Sequence, residues 1–380
     1  MKRIVLIGPV YPYKGGISHY TGQMYRALKK KYDVTMVSYS LQYPKLLFKK
    51  EQKDYGNRAF EIRDTRYWIN TASPLNWIRS ARKINQLNPD LVIIQWWHPY
   101  FAPCYRMLAR LLKDTKILFV CHNVFPHERF SMDRFLTGQV LRHGDYFIVQ
   151  SGMDAEDLRK VKPDACFRQT VHPTYNVFRF RDMSREEGRK LLHINKEEKV
   201  LLFFGFVREY KGLKHMIRAL PEITGRLEHV KLLIVGDFGN DRQDYLDLIA
   251  ENNMERFIEI HDGYIPDQEV EKYFAACDLV VLPYESATQS GIVQIAYGFE
   301  KPVVVTAVGG LPDVVTDGKT GYVVEPKNPE ALADAVAAFY EQEKEAEFVA
   351  NVQKEAYRFS WDRMVEVIES FEKEMDSRHA

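Results

Sequence analysis

Two cations three residues apart, Arg208 and Lys211 in "FFGFVREYKGLKHMI", stand where an apolar run ends and a helical pattern begins. Arginine offers a planar fork and lysine a compact charge, so the pair could neutralise phosphate oxygens. Glu209 lies between them, and a solvated cationic pair on a surface helix is the plainer alternative. A second stretch, "PYESATQSG" from Pro283 to Gly291, separates the apolar run "CDLVVL" from the short helical pattern "IVQIAYGF". Ser290-Gly291 would open that helix, and the N–H groups of Ser290, Gly291 and Ile292 could then face an anion. Thr288, Gln289 and Ser290 add side-chain donors, although a serine ahead of a helix is also an ordinary cap. In "GPVYPYKGGISHY", Gly15-Gly16 opens another helix, whose dipole puts about half a positive charge at that end. No Gly-x-Gly-x-x-Gly follows the first apolar run, so this is not a dinucleotide fingerprint. The segment "FVCHNVFPHERF" puts His122 at a strand end, but Pro126 breaks any helical register with His127 and no third ligand is near. No metal site is expected there, and His122 reads as a substrate-facing or structural histidine.

The elements that must position these groups alternate along the chain. "RIVLIG", "DVTMVS", "LVIIQ", "KILFVC" and "YFIVQS" in the first half are short apolar runs between helical patterns such as "ISHYTGQMYRALKK" and "PCYRMLARLLK". The second half repeats the scheme with "KVLLFFGF", "VKLLIVG", "FIEIHD", "LVVLPY" and "PVVVTA". Runs buried on both sides and separated by helices predict parallel sheets covered on both faces, hence two doubly wound α/β domains. Apolar periodicity lapses in "VHPTYNVFRFRDMSREEGRKLL", the expected linker, and the tail "WDRMVEVIESFEKEM" is amphipathic at helical spacing. Ligands in such folds bind beyond the C-terminal strand ends, which predicts a cleft between domains.

The chain has 380 residues, long enough for two cores, with 46% hydrophobic and 28% charged residues. No apolar run reaches membrane-spanning length, and the start "MKRIVLIGPVYP" reads as a first strand, not a signal peptide. Cys104, Cys121, Cys166 and Cys277 lie far apart without metal spacing, as expected of reduced thiols in a cytosolic protein. The net charge of +1 hides an asymmetry: residues 1–180 hold 29 Lys+Arg against 14 Asp+Glu, and the remainder 24 against 38. A basic half at +15 and an acidic half at −14 predict different partners for each.

Together these motifs resemble the family 4 glycosyltransferases, retaining sugar-nucleotide enzymes of the GT-B fold. The resemblance covers nearly the whole chain and is carried by "GPVYPYKGGISHY", "CHNVFPHE", "GFVREYKGL", "HDGYIPDQEVEKYFAACDLVVLPY", "ATQSGIVQIAYGFEKPVVVTAVGGLPDVVTDGKTGYVV" and the closing "FSW". It implies an acceptor-binding domain over 1–178, completed by a C-terminal helix at about 361–380, and a nucleotide-binding domain over 179–360. It also implies that Lys211 and Arg208 hold the donor diphosphate, with Arg208 in place of the usual arginine, whose position is Phe206. By the same resemblance His122 contacts the transferred sugar, while Gly15 and Gly16 face the phosphates opposite Ser290, Gly291 and Ile292. One departure is sharp. The family's Glu-x7-Glu would fall at Ala287 and Ile295 counted from Pro302, or at Thr288 and Ala296 counted from Ser290-Gly291, and neither glutamate is present. Thr288, Gln289, Gln294 and Glu285 are the expected substitutes toward the donor sugar or ribose.

The reaction this implies is transfer of a hexose from a UDP- or GDP-sugar, with retention, to a saccharide or lipid-linked saccharide acceptor in cell-surface polysaccharide or glycolipid synthesis. Fixed cations and the lack of Asp-x-Asp predict no metal and no cofactor, and nothing predicts nucleic acid. The run "QYPKLLFKKEQK" mixes Leu46, Leu47 and Phe48 with lysines and could contact an anionic membrane at the cytoplasmic face, an ordinary exposed loop or helix being the alternative. The missing glutamates leave a non-catalytic GT-B scaffold, binding a nucleotide or a partner glycosyltransferase, as the serious rival. A sugar-nucleotide epimerase of similar architecture would need acid/base carboxylates that the motifs do not supply.

Overall fold

A computed structural model describes residues 2–48, 51–56, 58–126 and 131–377, with side chains up to residue 371 in the last helix. The chain divides into two compact units, Met1–Val171 with Trp361–Ala380, and His172–Ser360. In the first unit the order is β1 (Arg3–Ile7), α1 (Gly16–Lys29), β2 (Asp33–Leu41), β3 (Arg66–Asn70), α2 (Pro74–Gln86), β4 (Leu91–Trp96) and α3 (Ala102–Leu111). It continues with β5 (Lys116–Cys121), α4 (Asp133–Leu141), β6 (Tyr146–Val149), α5 (Gly152–Val161) and β7 (Cys166–Gln169). The second unit runs α6 (Arg185–Leu191), β8 (Lys199–Phe204), α7 (Leu213–Arg226), β9 (Val230–Gly236), α8 (Arg242–Glu251), β10 (Ile258–Asp262) and α9 (Asp267–Ala276). There follow β11 (Leu279–Leu282), α10 (Gly291–Gly298), β12 (Val303–Thr306), α11 (Leu311–Val314), β13 (Gly321–Val324), α12 (Pro329–Glu341) and α13 (Glu345–Glu355), before α14 (Trp361–Ser377) returns to the first unit.

Both sheets are parallel throughout. The first has the order β3-β2-β1-β4-β5-β6-β7 and the second β10-β9-β8-β11-β12-β13. Central strands are fully buried, as in Ile93, Ile94, Phe119 and Phe147 of one unit and Leu202, Phe203, Val280 and Val281 of the other. This is the two-unit doubly wound α/β architecture expected from the alternating apolar runs. Three strands the apolar runs did not announce, β3, β7 and β13, are all edges. An edge strand is covered less completely, so it keeps residues such as Arg66, Tyr67 and Arg168 that break the apolar signal.

The segment expected as a linker is tied to the second unit. Glu271 of α9 accepts the backbone N–H groups of Phe180, Arg181 and Met183 at 3.0–3.2 Å. Helix α6 begins with a capping box between Ser184 and Glu187, and its Gly188 lets it lie directly on the α9 backbone. Helix α14 packs through Met364, Val365, Ile368 and Phe371, one stripe at helical spacing. Lys30 to Asp362 at 3.2 Å and Lys31 to Glu369 at 2.9 Å fix it beside α1.

The strand order reverses between β1 and β4, and again between β8 and β11. At such a switch point the connections leave on opposite faces of the sheet and open a crevice beyond the strand ends. The loops after β8 and β11 carry Arg208, Lys211 and the Pro283–Gly291 stretch.

Candidate functional site

Strand β8 is followed by Gly205, which has a φ of 112° that a residue with a side chain adopts only under strain. A Cβ there would lie 3.1 Å from the Lys211 ammonium and 3.6 Å from Ile292 Cδ1, so Lys211 and the start of α10 converge over bare backbone. Lys211 closes a 3₁₀ turn whose N-cap is Arg208. Its ammonium lies 5.4 Å from the Tyr284 ring centroid. Burial, reinforced by the charge of Arg208, pushes the Lys211 pKa below the usual lysine range. Among the described residues no carboxylate pairs with Lys211 or Arg208. Arg208 donates from Nη1 to its neighbour's carbonyl, Val207 O, at 2.7 Å, and its guanidinium lies against Gly239 in the loop after β9.

Helix α10 has no acidic residue in its first turn. Ser290 is its N-cap, and its Oγ accepts the Ile292 N–H at 3.2 Å. Of the three amides expected to face a ligand, Ile292 therefore caps its own helix. Those of Ser290 and Gly291 donate to no acceptor among the described residues. The Tyr284 hydroxyl, 3.4 Å from Ser290 Oγ, completes this end of the site; sequence reasoning missed it because it reads as the last residue of an apolar run.

The loop itself is bare because backbone passes against it on two sides. Gly212, left-handed at φ 64°, leaves room for the Pro283 carbonyl, and Gly309, at φ 53°, for the Ala287 carbonyl; a methyl group at either would overlap that oxygen. Tyr210 O accepts Glu285 N at 2.7 Å, Thr288 O accepts Gly310 N at 2.9 Å, and Thr306 Oγ1 donates to Tyr284 O at 2.6 Å.

Glu285 takes part in this packing. Its carboxylate takes His215 Nε2 at 2.9 Å, Lys214 Nζ at 2.9 Å and Lys327 Nζ at 3.1 Å. Burial works to raise its pKa, but those three partners bring it down to about 2. Its oxygens clamp the loop to α7 through Lys214 and His215. Thr288 and Gln289 are half-buried in the loop, and both polar atoms of the Gln289 side chain are enclosed without a partner among the described residues. Gln294 is buried in α10 with its Oε1 likewise unpartnered.

In the first unit, Gly15 caps α1 at φ 104° with no side-chain cap, and Gly16 is the first helical residue. His122 extends the β5 ladder, its N–H donating to Trp96 O at 2.8 Å, and its Nε2 lies 2.7 Å from Gln95 Oε1. Asp154 secures the following turn by accepting Val124 N–H at 2.9 Å. His127 lies outside the described residues, and among those described no group of His, Cys, Asp and Glu is placed to hold a metal ion. Beyond Phe125, a groove of about 330 Å³ runs between α4 and α5, with Arg134, Arg142 and Lys160 along it among the described residues, Lys160 pairing with Asp157 at 2.7 Å.

Residues 184–359 match the model of glycosyl transferases group 1, and residues 14–173 that of glycosyltransferase family 4. Curated relatives include an uncharacterized glycosyltransferase of Methanocaldococcus jannaschii, 31% identical over 46% of this chain and 45% of that protein. A D-inositol 3-phosphate glycosyltransferase of Corynebacterium jeikeium is 27% identical over 64% of this chain and 60% of its own length. The chain thus spans roughly half of the length of the curated relatives it matches. Solved structures with this fold include sucrose-phosphate synthase from Thermosynechococcus elongatus, at 17% identity, TM-score 0.75 and full coverage of both chains. Anabaena Alr3699/HepE in complex with UDP-glucose matches at 17% identity and TM-score 0.73, over 99% of this chain and 100% of that one. With family models over residues 14–173 and 184–359, two parallel-sheet α/β units and neighbours of the GT-B fold, the chain belongs to the family 4 glycosyltransferases.

Proposed function

We propose that the protein transfers a hexose from a UDP- or GDP-sugar, with retention of configuration, to a saccharide or lipid-linked saccharide acceptor in cell-surface polysaccharide or glycolipid synthesis. The observation that carries this reading is the Lys211 ammonium, held without a carboxylate beside the N-terminus of α10 at a sheet's switch point. A diphosphate answers that excess of positive potential. In transfer, charge builds on the leaving phosphate, and Lys211, Arg208 and the Ser290 and Gly291 amides stabilise it without having to reorganise. In front-face attack the leaving phosphate also helps accept the acceptor's proton, so no strong general base is required. The resemblance assigns His122 to the transferred sugar and the Gly15-Gly16 turn to the phosphates. Gln289 and Gln294, with their unpartnered amide atoms, are the residues assigned to sugar and ribose hydroxyls. Support for the donor class comes from neighbours solved with UDP and with UDP-glucose.

The acceptor is read as anionic. The first unit carries the basic half of the chain, its α4/α5 groove is lined by three cations, and several relatives are named for a phosphorylated polyol. Fixed cations do the work of a divalent ion, so transfer runs without metal. The missing family glutamates, at Ala287 and Ile295 or at Thr288 and Ala296 by the two counts, favour a second reading as a scaffold that binds nucleotide without transferring sugar.

One assay decides between them. Purified protein is given a panel of UDP- and GDP-sugars with phosphorylated and lipid-linked acceptors, with and without EDTA. Transfer is expected with at least one donor and is unchanged by EDTA; Lys211→Ala lowers it by about 10²–10³-fold. Full activity in Lys211→Ala overturns the site assignment. Donor binding without transfer or donor hydrolysis leaves the scaffold.

A further inference from the structure

His122 is set in a polar network that the cradle around Lys211 does not explain. Gln95 is completely buried in β4, one strand over, and its Oε1 lies 2.7 Å from His122 Nε2. The other end of the same amide donates from Nε2 to the thioether of Met24 in α1 at 3.3 Å, and Met24 is itself buried. A thioether sulfur accepts hydrogen bonds and donates none. The sulfur therefore claims the NH2 end of the Gln95 amide, and the oxygen end is left for the histidine. Reversed, the amide would set its carbonyl oxygen against the sulfur, two electron-rich atoms face to face. An amide oxygen only accepts, so the imidazole nitrogen it meets must carry the proton.

Other contacts keep the amide and ring from turning. The Gln95 stem lies against Gly8, where a Cβ would come within 2.7 Å of Cγ. Tyr20 packs edge-to-face on the His122 ring, with centroids 4.5 Å apart and planes at 81°. Tyr20 is fixed in turn by Gln150 Nε2, which donates to its hydroxyl at 2.6 Å, and by Trp361 at 4.9 Å between centroids.

We infer that Gln95, oriented by Met24, is a positioning residue that fixes His122 as the Nε2–H tautomer, so that Nδ1 meets the transferred sugar as a hydrogen-bond acceptor. This rests on the reading of His122 as a sugar contact. An acceptor nitrogen requires a hydroxyl hydrogen, so the network selects donors that keep a free hydroxyl at the contacted carbon. A donor with fluorine there cannot supply the hydrogen and loses about fivefold in kcat/KM, the worth of one net hydrogen bond.

The test has two arms. In protein labelled with 15N-histidine, with His122 assigned by its loss in His122→Asn, the imidazole is expected to show a protonated Nε2 and a bare Nδ1. Met24→Leu keeps the core volume but removes the sulfur, and the second tautomer is then expected to appear. A protonated Nδ1 in the neutral wild-type ring, or a Met24→Leu spectrum identical to wild type, overturns the inference. The second arm runs monofluorinated donors against wild type and Gln95→Glu. The new carboxylate favours the doubly protonated ring, whose Nδ1–H donates, and the penalty on one fluorinated donor is expected to narrow. If no fluorinated donor shows a penalty that depends on His122, the sugar contact is overturned while the spectra still report the tautomer. The spectra also need no turnover, so failure of the transferase reading itself is separable.

Discussion

A lysine ammonium stripped of part of its water needs an anion or several acceptors to stay charged at low cost, and around Lys211 the protein supplies no carboxylate. The nearest cation, Arg208, adds repulsion. Such a site is less stable empty than occupied, and a ligand with the missing charge stabilises the fold by mass action. Lys211→Met separates these two effects. Without ligand its melting temperature is expected to rise by about 2–4 °C, the shift about 1 kcal/mol gives in a domain of this size. The stabilisation that UDP or GDP gives the wild type is expected to disappear. Differential scanning fluorimetry with and without nucleotide reads both; a destabilised variant that keeps its nucleotide shift would show that Lys211 holds structure and not phosphate. At this scale the sequence revealed Arg208, Lys211 and Ser290, because their signals are local: charge or a cap beside a strand end. It did not show that Glu285 is paired within the protein, because Lys214, His215 and Lys327 come from distant turns of the chain. Gln95 went unnoticed inside the run "LVIIQ", although one amide at the end of a buried strand was the available signal.

At the scale of elements, the Pro283–Gly291 loop is short of side chains because Gly212 and Gly309 bring other backbone segments against it, and its one acid is spent on anchoring it. The openness toward a ligand that its composition suggested is thus only part of the reason for that composition. The anchor has a pH signature. Glu285 is held at about 2, below the ordinary glutamate value of 4.5, so its stabilisation is fully present above about 4.5 and is lost as pH falls toward 2. Glu285→Gln is expected to cost about 2 kcal/mol at neutral pH, the scale of hydrogen bonds to a charged group. Urea unfolding at pH 7 and at pH 3.5 should show the gap between variant and wild type shrinking at the lower pH. An equal gap at both would mean that the carboxylate's charge does not hold the loop. The central strands were legible as unbroken apolar runs, whereas the edge strands β3, β7 and β13 were not, since one covered side demands less of their composition.

At the scale of the molecule, two repeats of the βα alternation were enough to read two doubly wound units; the amphipathic spacing of α14 showed a helix with one buried face, and its return to the first unit was implied by the family resemblance. The charge division between the halves, +15 over residues 1–180 and −14 over the rest, has no role in folding either sheet. It motivates the proposal that the first unit meets an anionic membrane surface. In the first unit Leu46 is 87% exposed, Leu47 63% and Phe48 41%, beside Lys45 and Lys53; Lys49 and Lys50 of the same run lie outside the described residues. Among the described residues no helix is long and apolar enough to cross a membrane. Each basic residue near an anionic bilayer contributes about 1 kcal/mol, and the exposed leucines add burial in the interface. The protein is therefore expected to float with vesicles containing phosphatidylglycerol at about 0.1 M salt, and to be released at about 1 M, where charges are screened within roughly 3 Å. Vesicles of phosphatidylcholine alone should bind little. The double substitution Leu46→Glu, Leu47→Glu should abolish flotation and leave the nucleotide-induced stabilisation intact, because those residues belong to a different unit from the Lys211 cradle. Wild-type protein that stays at the bottom of the gradient at low salt would remove the membrane from the functional reading, and the basic groove between α4 and α5 would then serve a water-soluble phosphorylated acceptor.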